Sequence, residues 1–99
     1  MPSELIFIPE ARNDIAEAYL WYEEQSLGLG MDFLRCIEAS FLSIQRNPLL
    51  YQIVHEHYRR ALARRFPYAI FFEHYEKQTV IYAVFHCSQD PEKLHKRRH

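Results

Sequence analysis

The stretch of sequence that decides the fold spans residues 68–85 and reads YAIFFEHYEKQTVIYAVF. Two apolar runs, 68–75 and 79–85, are rich in aromatic and β-branched residues and are separated by the polar residues 76–78. This pattern predicts a β-hairpin, although the loop lacks an Asn-Gly pair. Both faces of the two strands are apolar, whereas a sheet with one solvated face would alternate. We expect helices to cover one face, and another chain, the C-terminal tail or the aromatics of a strongly twisted sheet to shield the other.

Two amphipathic helices are predicted upstream of the hairpin. The first begins at Pro9, and its apolar stripe consists of Ala11, Ile15, Ala18 and Tyr22. The stripe of the second helix consists of Phe33 or Leu34, Ile37, Phe41 and Ile44. This helix ends at Asn47-Pro48, because the residue before a proline avoids the α region. Residues 26–30, which include two glycines, separate the helices, so the two are expected to lie antiparallel.

Two further strands complete the predicted sheet, one over residues 5–8 and one over residues 58–66. Phe66-Pro67 predicts a turn or an edge position, since proline cannot donate to a β-ladder. Asp90-Pro91 opens a charged tail of one or two helical turns. The fold class that follows is α+β: a helical hairpin packed on a small twisted antiparallel sheet, in the order β-α-α-β-β-β with a short C-terminal helix or coil. We expect residues 1–99 to form a single domain.

The bulk composition excludes several classes of protein. Hydrophobic residues make up 48% of the 99 residues and aromatic residues 15%, which is typical of a packed globule and not of a disordered chain. No apolar run approaches the roughly 20 residues of a membrane span, and the N-terminus has no signal-like pattern. We therefore expect a cytoplasmic protein without a membrane partner. Cys36 and Cys87 lack metal-like spacing and are interpreted as reduced, partly buried thiols.

The net charge of −1 hides an asymmetry between the two halves of the chain. Residues 1–56 contain nine acidic residues and three arginines, whereas residues 57–99 contain nine basic residues and four acidic ones. The C-terminal half is therefore expected to present a positive surface to an acidic partner such as RNA, DNA or an acidic protein. The alternative interpretation is a solvated edge strand that is protected against aggregation by its charges.

Arginines dominate this basic region. Four lie on the predicted strand over residues 58–66: Arg59, Arg60, Arg64 and Arg65. Strand alternation predicts that Arg60 and Arg64 share one face, whereas Arg59 and Arg65 share the other. Four more basic residues follow in the tail: Lys93, Lys96, Arg97 and Arg98. Guanidinium groups bind phosphates and carboxylates through two parallel hydrogen bonds, so these residues form the first candidate binding surface.

Histidines are the candidate acid–base groups. His95 lies in the basic tail and has the chemistry needed to carry a proton during RNA cleavage, although an isolated histidine is more commonly structural. His86 closes the last strand and is predicted to order the following turn by hydrogen bonding. His55-x-His57 has no third ligand at a suitable spacing, so neither a metal nor a cofactor is predicted. The sequence also lacks a Gly-rich phosphate loop, a nucleophile elbow and paired catalytic carboxylates.

Two segments carry a resemblance to a known family. Residues 64–72 read RRFPYAIFF, and residues 80–91 read VIYAVFHCSQDP. In this order the chain resembles the RelE/ParE superfamily of bacterial type II toxins, whose members typically show a basic strand, an Arg-Phe-Pro-Tyr-like step, an apolar hairpin and a His-x-x-Arg-Asp-Pro-like ending. Pro9-Glu10-Ala11 and Asn47-Pro48 agree with this pattern upstream, so the resemblance spans nearly the whole chain.

The resemblance implies a plasmid-stabilisation type of toxin that is neutralised by a cognate antitoxin. Two activities occur in this superfamily. RelE-like members cleave messenger RNA on the ribosome, whereas ParE-like members poison DNA gyrase without being nucleases. A third interpretation is an inactive member that is retained for antitoxin binding. Both a homodimer and a toxin–antitoxin hetero-oligomer are compatible with the sequence.

The resemblance also implies which residues form the site. The residues expected to bind the target or the antitoxin are Arg59, Arg60, Arg64, Arg65, Tyr68, His86, Lys96 and Arg97. If the protein is a nuclease, Arg59 and Arg60 are expected to bind the phosphate and His95 to carry the proton. Gln89 stands where many members have an arginine that helps to stabilise the phosphate in RelE-like nucleases. For this reason, and because the paired helices are long, we favour the ParE-like interpretation and no enzymatic activity.

Overall fold

A computed structural model describes residues 3–97. Their helices and strands, in chain order, are β1 (Glu4–Phe7), α1 (Pro9–Gln25), α2 (Leu29–Arg46), β2 (Ile53–His55), β3 (Tyr58–Leu62), β4 (Tyr68–Tyr75) and β5 (Gln78–His86). Short 3-10 helices follow α2 at Pro48–Leu50 and β5 at Pro91–Lys96. The predicted α+β class, the helical hairpin and the β4–β5 hairpin are confirmed. The Pro91–Lys96 helix is called the tail helix below.

The sheet has five strands in the order β1-β5-β4-β3-β2. β4 and β5 pair antiparallel along their whole length, from Tyr68↔His86 to Tyr75↔Gln78, so this hairpin forms the centre of the sheet. β1 runs parallel to β5, which makes the sheet mixed and not purely antiparallel as expected. A four-residue apolar strand carries no information on its direction. That direction follows from the connection through the helical hairpin.

The strand predicted over residues 58–66 is shorter in the structure and ends at Leu62. Arg64 and Arg65 lie in bends between β3 and β4, and Arg65 has a positive φ of 69°. The predicted alternation is therefore wrong for these two arginines, because they are not on a strand. The edge strand β2 was not predicted, since its three residues are too few to show an alternating pattern.

The helices cover one face of the sheet with the predicted apolar stripes. Ala11, Ala18 and Tyr22 of α1 and Phe33, Ile37, Phe41 and Ile44 of α2 are all buried, and Ile15 packs partly buried against them. At one end, the rings of Tyr22, Phe33, Phe66 and Tyr68 form an aromatic cluster with centroids 4.9–6.0 Å apart. Gly30 allows close contact of the helices, because a Cβ there would lie 2.8 Å from the carbonyl oxygen of Tyr19. We call this side of the sheet the helix face.

The opposite side is covered by the tail helix and is called the tail face. Tyr68 belongs to the helix-face aromatic cluster, so its neighbour Ala69, which pairs with Phe85, points the other way. The Phe85 ring contacts Phe71 on one side and lies under the Arg97 guanidinium at 4.7 Å. Leu94 of the tail helix is fully buried. The sequence left three alternatives for shielding this face, and the structure shows the C-terminal tail in that position.

Candidate functional site

The end of the tail is fastened to α1 and β5 by Arg97. Its guanidinium makes two hydrogen bonds to the Asp14 carboxylate, at 2.5 and 2.9 Å, and a third to the Tyr82 carbonyl oxygen at 3.0 Å. Asp14 also accepts a hydrogen bond from the Val84 N–H at 2.9 Å. Tyr82 and Val84 lie beyond Ile81, the last β5 residue in register with β1. Side chains thereby take over the hydrogen bonding that β1 provides to the earlier part of β5.

Two histidines and two glutamates meet where the β2–β3 turn contacts the tail helix. The Nε2 atom of His95 lies 3.0 Å from Nε2 of His55 and 3.1 Å from Oε2 of Glu92. The Nδ1 atom of His95 lies 2.8 Å from Oε1 of Glu56, which is itself 3.8 Å from Nε2 of His55. We call these four residues the histidine–carboxylate cluster. It contains the residue that the sequence nominated as a proton carrier.

The structure separates Arg59 from the other two nuclease candidates. Arg60 is exposed and pairs with Phe71, so it lies on the tail face, where the tail helix carries His95. Arg59 points to the helix face, where it is half-buried and donates a hydrogen bond to the Tyr51 carbonyl oxygen at 2.6 Å. His95 is engaged by two carboxylates and a second histidine. Arg59 therefore cannot act together with His95, and the partners of His95 are already its own neighbours in the cluster.

Arg64 and Arg65 instead border a groove of about 660 Å³ between α2 and β3. Arg35 of α2 also lines this groove and makes a 3.1 Å ion pair with Asp32. Beneath them, the Cys36 thiol donates a hydrogen bond to the Arg64 carbonyl oxygen, which links the bend to α2. Three arginines and one acidic residue line the groove, and we call it the basic groove.

The remaining predicted site residues lie near the strand ends. Tyr68 is buried in the aromatic cluster, and burial, reinforced by the neighbouring Tyr22, raises the pKa of its hydroxyl to about 12. His86 Nδ1 accepts hydrogen bonds from the Ser88 N–H at 3.0 Å and lies 2.7 Å from the Ser88 hydroxyl. The prediction that His86 orders the turn is therefore confirmed. Lys96 is exposed on the tail helix, and Arg98 lies outside the described residues.

Gln89 has a structural role in the same turn. Its side-chain oxygen accepts a hydrogen bond from the His86 N–H at 2.7 Å. An amide serves this purpose without bringing a charge to the end of β5. The neutral residue that set this sequence apart from many RelE-like members is therefore used to close the turn after β5.

The sequence matches the model of a family described as the ParE toxin of type II toxin–antitoxin systems, parDE, over residues 5–91. The chain belongs to the ParE toxin family. It is therefore a toxin component of a type II toxin–antitoxin system, and the class of partner that follows is a cognate antitoxin.

A solved structure agrees with this assignment at the level of the fold. A chain of the chromosomal ParDE toxin–antitoxin system from P. aeruginosa is 16% identical in sequence and superposes with a TM-score of 0.74. The match covers 85% of this chain and 95% of that one. No curated protein sequence matches at a significant level. Within residues 3–97, no helix has the length and apolar character required to cross a membrane.

This ParE-family chain has a second groove on the outer side of its helical hairpin. The groove has a volume of about 570 Å³ and lies between α1 and α2. Its lining is mostly apolar and includes Ile15, Ala16, Leu20 and Leu34, with Arg12 and Glu38 as its charged residues. Leu20, at the edge of this groove, is 58% exposed. We call it the apolar groove.

Sequence reasoning missed several residues of these surfaces. Arg35 was assigned to the acidic half of the chain, although the fold places it beside Arg64 and Arg65. Asp14 and Glu56 were counted only as charges, because their partners are distant in sequence: Arg97 is 83 positions from Asp14. One signal in the sequence was available: Leu20 and Trp21 of α1 are hydrophobic but lie off the predicted apolar stripe of Ala11, Ile15, Ala18 and Tyr22.

Proposed function

We propose that this ParE-family toxin inhibits DNA gyrase by binding to it, without cutting RNA, and that its cognate antitoxin holds it inactive. The family match over residues 5–91 carries this proposal. The geometry of the nuclease candidates supports it, since Arg59 points to the helix face, away from His95, and His95 is engaged by two carboxylates and a second histidine. General acid–base catalysis needs its groups within hydrogen-bond reach of one reacting centre.

The target is tested with two parallel assays on the purified toxin. In the first, gyrase supercoils a relaxed plasmid, and we expect less supercoiling together with trapped gyrase–DNA cleavage complexes. In the second, translating ribosomes carry a defined message, and we expect no new cuts. Message cleavage that disappears in His95→Ala would instead establish a RelE-like endoribonuclease. Activity in neither assay, with antitoxin binding retained, would indicate an inactive member.

We assign target binding to the basic groove. Its arginines form an exposed positive surface beside β3, and the bend that carries Arg64 and Arg65 is tied to α2 through Cys36. Charge complementarity raises association rates and suppresses wrong partners, so reversing charges here should weaken inhibition. In Arg64→Glu we expect roughly tenfold less potent gyrase inhibition at low salt, with a smaller deficit at high salt.

Lys77→Glu is the matched control for this variant. Lys77 is also exposed and basic, but it lies in the β4–β5 turn and does not line the basic groove. Inhibition in Lys77→Glu should equal that of the wild type. Equal losses in both variants would show that only the overall charge matters and would remove the groove from the proposal.

We assign antitoxin binding to the apolar groove. An amphipathic helix binds a groove of this kind through its apolar face, and Arg12 and Glu38 offer a charge of each sign to fix its direction. Ala16 lines the groove and is exposed, so Ala16→Arg should fill the space and weaken antitoxin binding by at least about tenfold. Glu17→Arg, at the neighbouring exposed position outside the groove, should bind normally. Isothermal titration with the purified antitoxin distinguishes the two outcomes.

A further inference from the structure

We propose that the histidine–carboxylate cluster is a binding site for a divalent transition metal ion, with Zn²⁺ as the reference ligand. His55, Glu56 and His95 each offer one ligand atom, and these atoms all lie within 4.8 Å of one another. The side chain of Glu92 adds a second carboxylate, 3.1 Å from Nε2 of His95. Separations of about 3–4 Å between ligand atoms are those that four-coordinate Zn²⁺ requires with bonds of about 2.0–2.2 Å.

The hydrogen-bond partners in the cluster indicate a cation. Oε1 of Glu56 lies 2.8 Å from Nδ1 of His95 and 3.8 Å from Nε2 of His55, so one carboxylate oxygen faces both imidazoles. Glu92 accepts at Nε2 of His95, so in the neutral imidazole the proton is at Nε2 and Nδ1 offers a lone pair. A metal ion contacts the Glu56 oxygen and one nitrogen of each histidine at once, whereas a single proton serves only one pair.

The arrangement assigns different roles to the two carboxylates. Metal-binding histidines commonly donate their other ring N–H to a carboxylate, which fixes the tautomer and the ring orientation. Glu92 holds His95 in this way. Glu56 is then the carboxylate ligand, together with one ring nitrogen each of His55 and His95. Two imidazoles and one carboxylate favour Zn²⁺, Ni²⁺ or Cu²⁺ over Mg²⁺ and Ca²⁺, which prefer oxygen ligands.

The backbone around the cluster is held in place on both sides. Glu56 occupies the tight turn between β2 and β3 with a positive φ of 52°, a left-handed conformation that is unfavourable for a glutamate and is maintained by the pairing of His55 with Tyr58. On the other side, the Asp90 side chain caps the tail helix by accepting from the Glu92 N–H at 3.0 Å. The buried Leu94 anchors the same helix.

A bound metal ion would join the β2–β3 turn to the tail helix. His55 and His95 are 40 residues apart in the sequence, and Arg97, directly after the tail helix, contacts the Phe85 ring and the Tyr82 carbonyl oxygen of β5. Metal binding should therefore stabilise the covered state of the tail face, because a ligand that binds only the folded arrangement shifts the equilibrium towards it.

The test is isothermal titration of the untagged, full-length chain with ZnCl₂, followed by thermal denaturation with and without Zn²⁺. We expect one Zn²⁺ per chain and a rise in the unfolding midpoint on the order of 5 °C, reversed by a chelator. His55→Ala and Glu56→Gln should each weaken Zn²⁺ binding by at least about tenfold, whereas Glu92→Gln should have the smaller effect of a residue that only orients His95.

His57→Ala is the matched control, because His57 lies in the same turn but contacts Glu73 at 2.6 Å, away from the cluster. Binding should be unchanged in it, in Cys87→Ser and in His99→Ala. Metal-free midpoints of all variants show whether each still folds. The proposal is overturned if the wild type binds no Zn²⁺, if His57→Ala loses as much affinity as His55→Ala, or if Cys87→Ser or His99→Ala abolishes binding.

A second readout reports on the tail itself. Trypsin cuts after lysine, and Lys93 and Lys96 lie on the exposed side of the tail helix. Zn²⁺ should slow cleavage at these two lysines in the wild type and leave the rate unchanged in His55→Ala. Equal protection of both proteins would show that any bound metal lies elsewhere.

Discussion

The two faces of the sheet are covered in different ways. On the helix face, two long helices bury aliphatic side chains and a cluster of four aromatic rings. On the tail face, a six-residue 3-10 helix is fastened by the buried Leu94, the Arg97–Asp14 pair and the histidine–carboxylate cluster. The first cover rests on apolar area, which acts without direction, and the second on a few directional polar contacts.

This difference separates global stability from local opening. Removing apolar area from the helix face should lower the free energy of unfolding of the whole protein, because the helices and the sheet share that core. Loss of a polar contact on the tail face should release the tail first and leave the rest folded, as expected for a segment with few buried side chains.

The largest expected effect is on the helix face. Phe33 is fully buried, and its ring contacts Tyr22, Phe66 and Tyr68. Phe33→Ala should lower the free energy of unfolding by about 3–5 kcal/mol, through lost transfer energy and the cavity left behind. Urea denaturation followed by circular dichroism measures this loss.

Leu94→Ala is the corresponding change on the tail face, where the side chain is equally buried. Its global cost should be at most about 2 kcal/mol, the low end for such truncations, because the tail can detach without unfolding the core. If Leu94→Ala destabilises the protein as much as Phe33→Ala, the two covers are equivalent and the comparison fails.

An intermediate effect is expected for Arg97→Ala. The Arg97 and Asp14 side chains are only 16% and 13% exposed, so truncation leaves the Asp14 carboxylate largely buried with Val84 as its remaining donor. We expect the free energy of local opening of the tail to fall by about 2 kcal/mol, as for a buried charge deprived of one partner. Hydrogen exchange should quicken across the tail helix and the nearby part of β5.

Arg97→Lys separates charge from geometry in this pair. It keeps the positive charge but cannot form both hydrogen bonds to Asp14 while also reaching the Tyr82 carbonyl. Its tail should exchange at a rate between those of the wild type and Arg97→Ala. Exchange within α2 should not change in either variant, and acceleration there would mean that the tail supports the whole fold.

The smallest expected effect is a loss of stability at alkaline pH, which is caused by one buried tyrosine on each face of the sheet. Burial raises the pKa of Tyr68 to about 12, and burial together with the nearby Glu73 raises the pKa of Tyr82 to about 12. An unfolded tyrosine releases its proton near pH 10, so between about pH 10 and 12 the unfolded state binds fewer protons. Stability is therefore fully present below pH 10 and falls as the pH rises to 12.

Urea denaturation at pH 8, 10 and 11 measures this slope. Tyr68→Phe and Tyr82→Phe should each reduce the pH dependence by a similar amount, because the two pKa values are similar. A wild-type protein whose stability does not change between pH 8 and 11 would contradict the prediction.

The sequence predicted the helix face far better than the tail face. The stripes of α1 and α2 and the β4–β5 hairpin follow local periodicity, which is visible within a window of a few turns. The contacts on the tail face join residues 40 and 83 positions apart, and no local pattern contains them. The direction of β1 was missed for the same reason, whereas β2 was missed because its three residues are too few to show an alternating pattern.

The candidate site was predicted in composition but not in arrangement. The basic residues of the C-terminal half were identified, yet their roles depend on where β3 ends. Because β3 stops at Leu62, Arg64 and Arg65 reach the basic groove, whereas Arg97 is used to hold the tail. His55-x-His57 gave no third ligand by spacing, and only the fold brings His95 to His55.

The order of strands in the sheet also determines when during translation the sheet can be completed. β5 lies between β1 and β4 and is synthesised after both of them. Glu4 of β1 therefore cannot pair with Gln78 until the ribosome has synthesised β5. At about 5–20 residues per second, the ribosome needs several seconds to span that interval. During those seconds α1 and α2 have no complete sheet to pack on, and neither face is covered. The toxin therefore completes its fold late in its own synthesis. During this interval an antitoxin already in the cell can encounter the new chain before it is active.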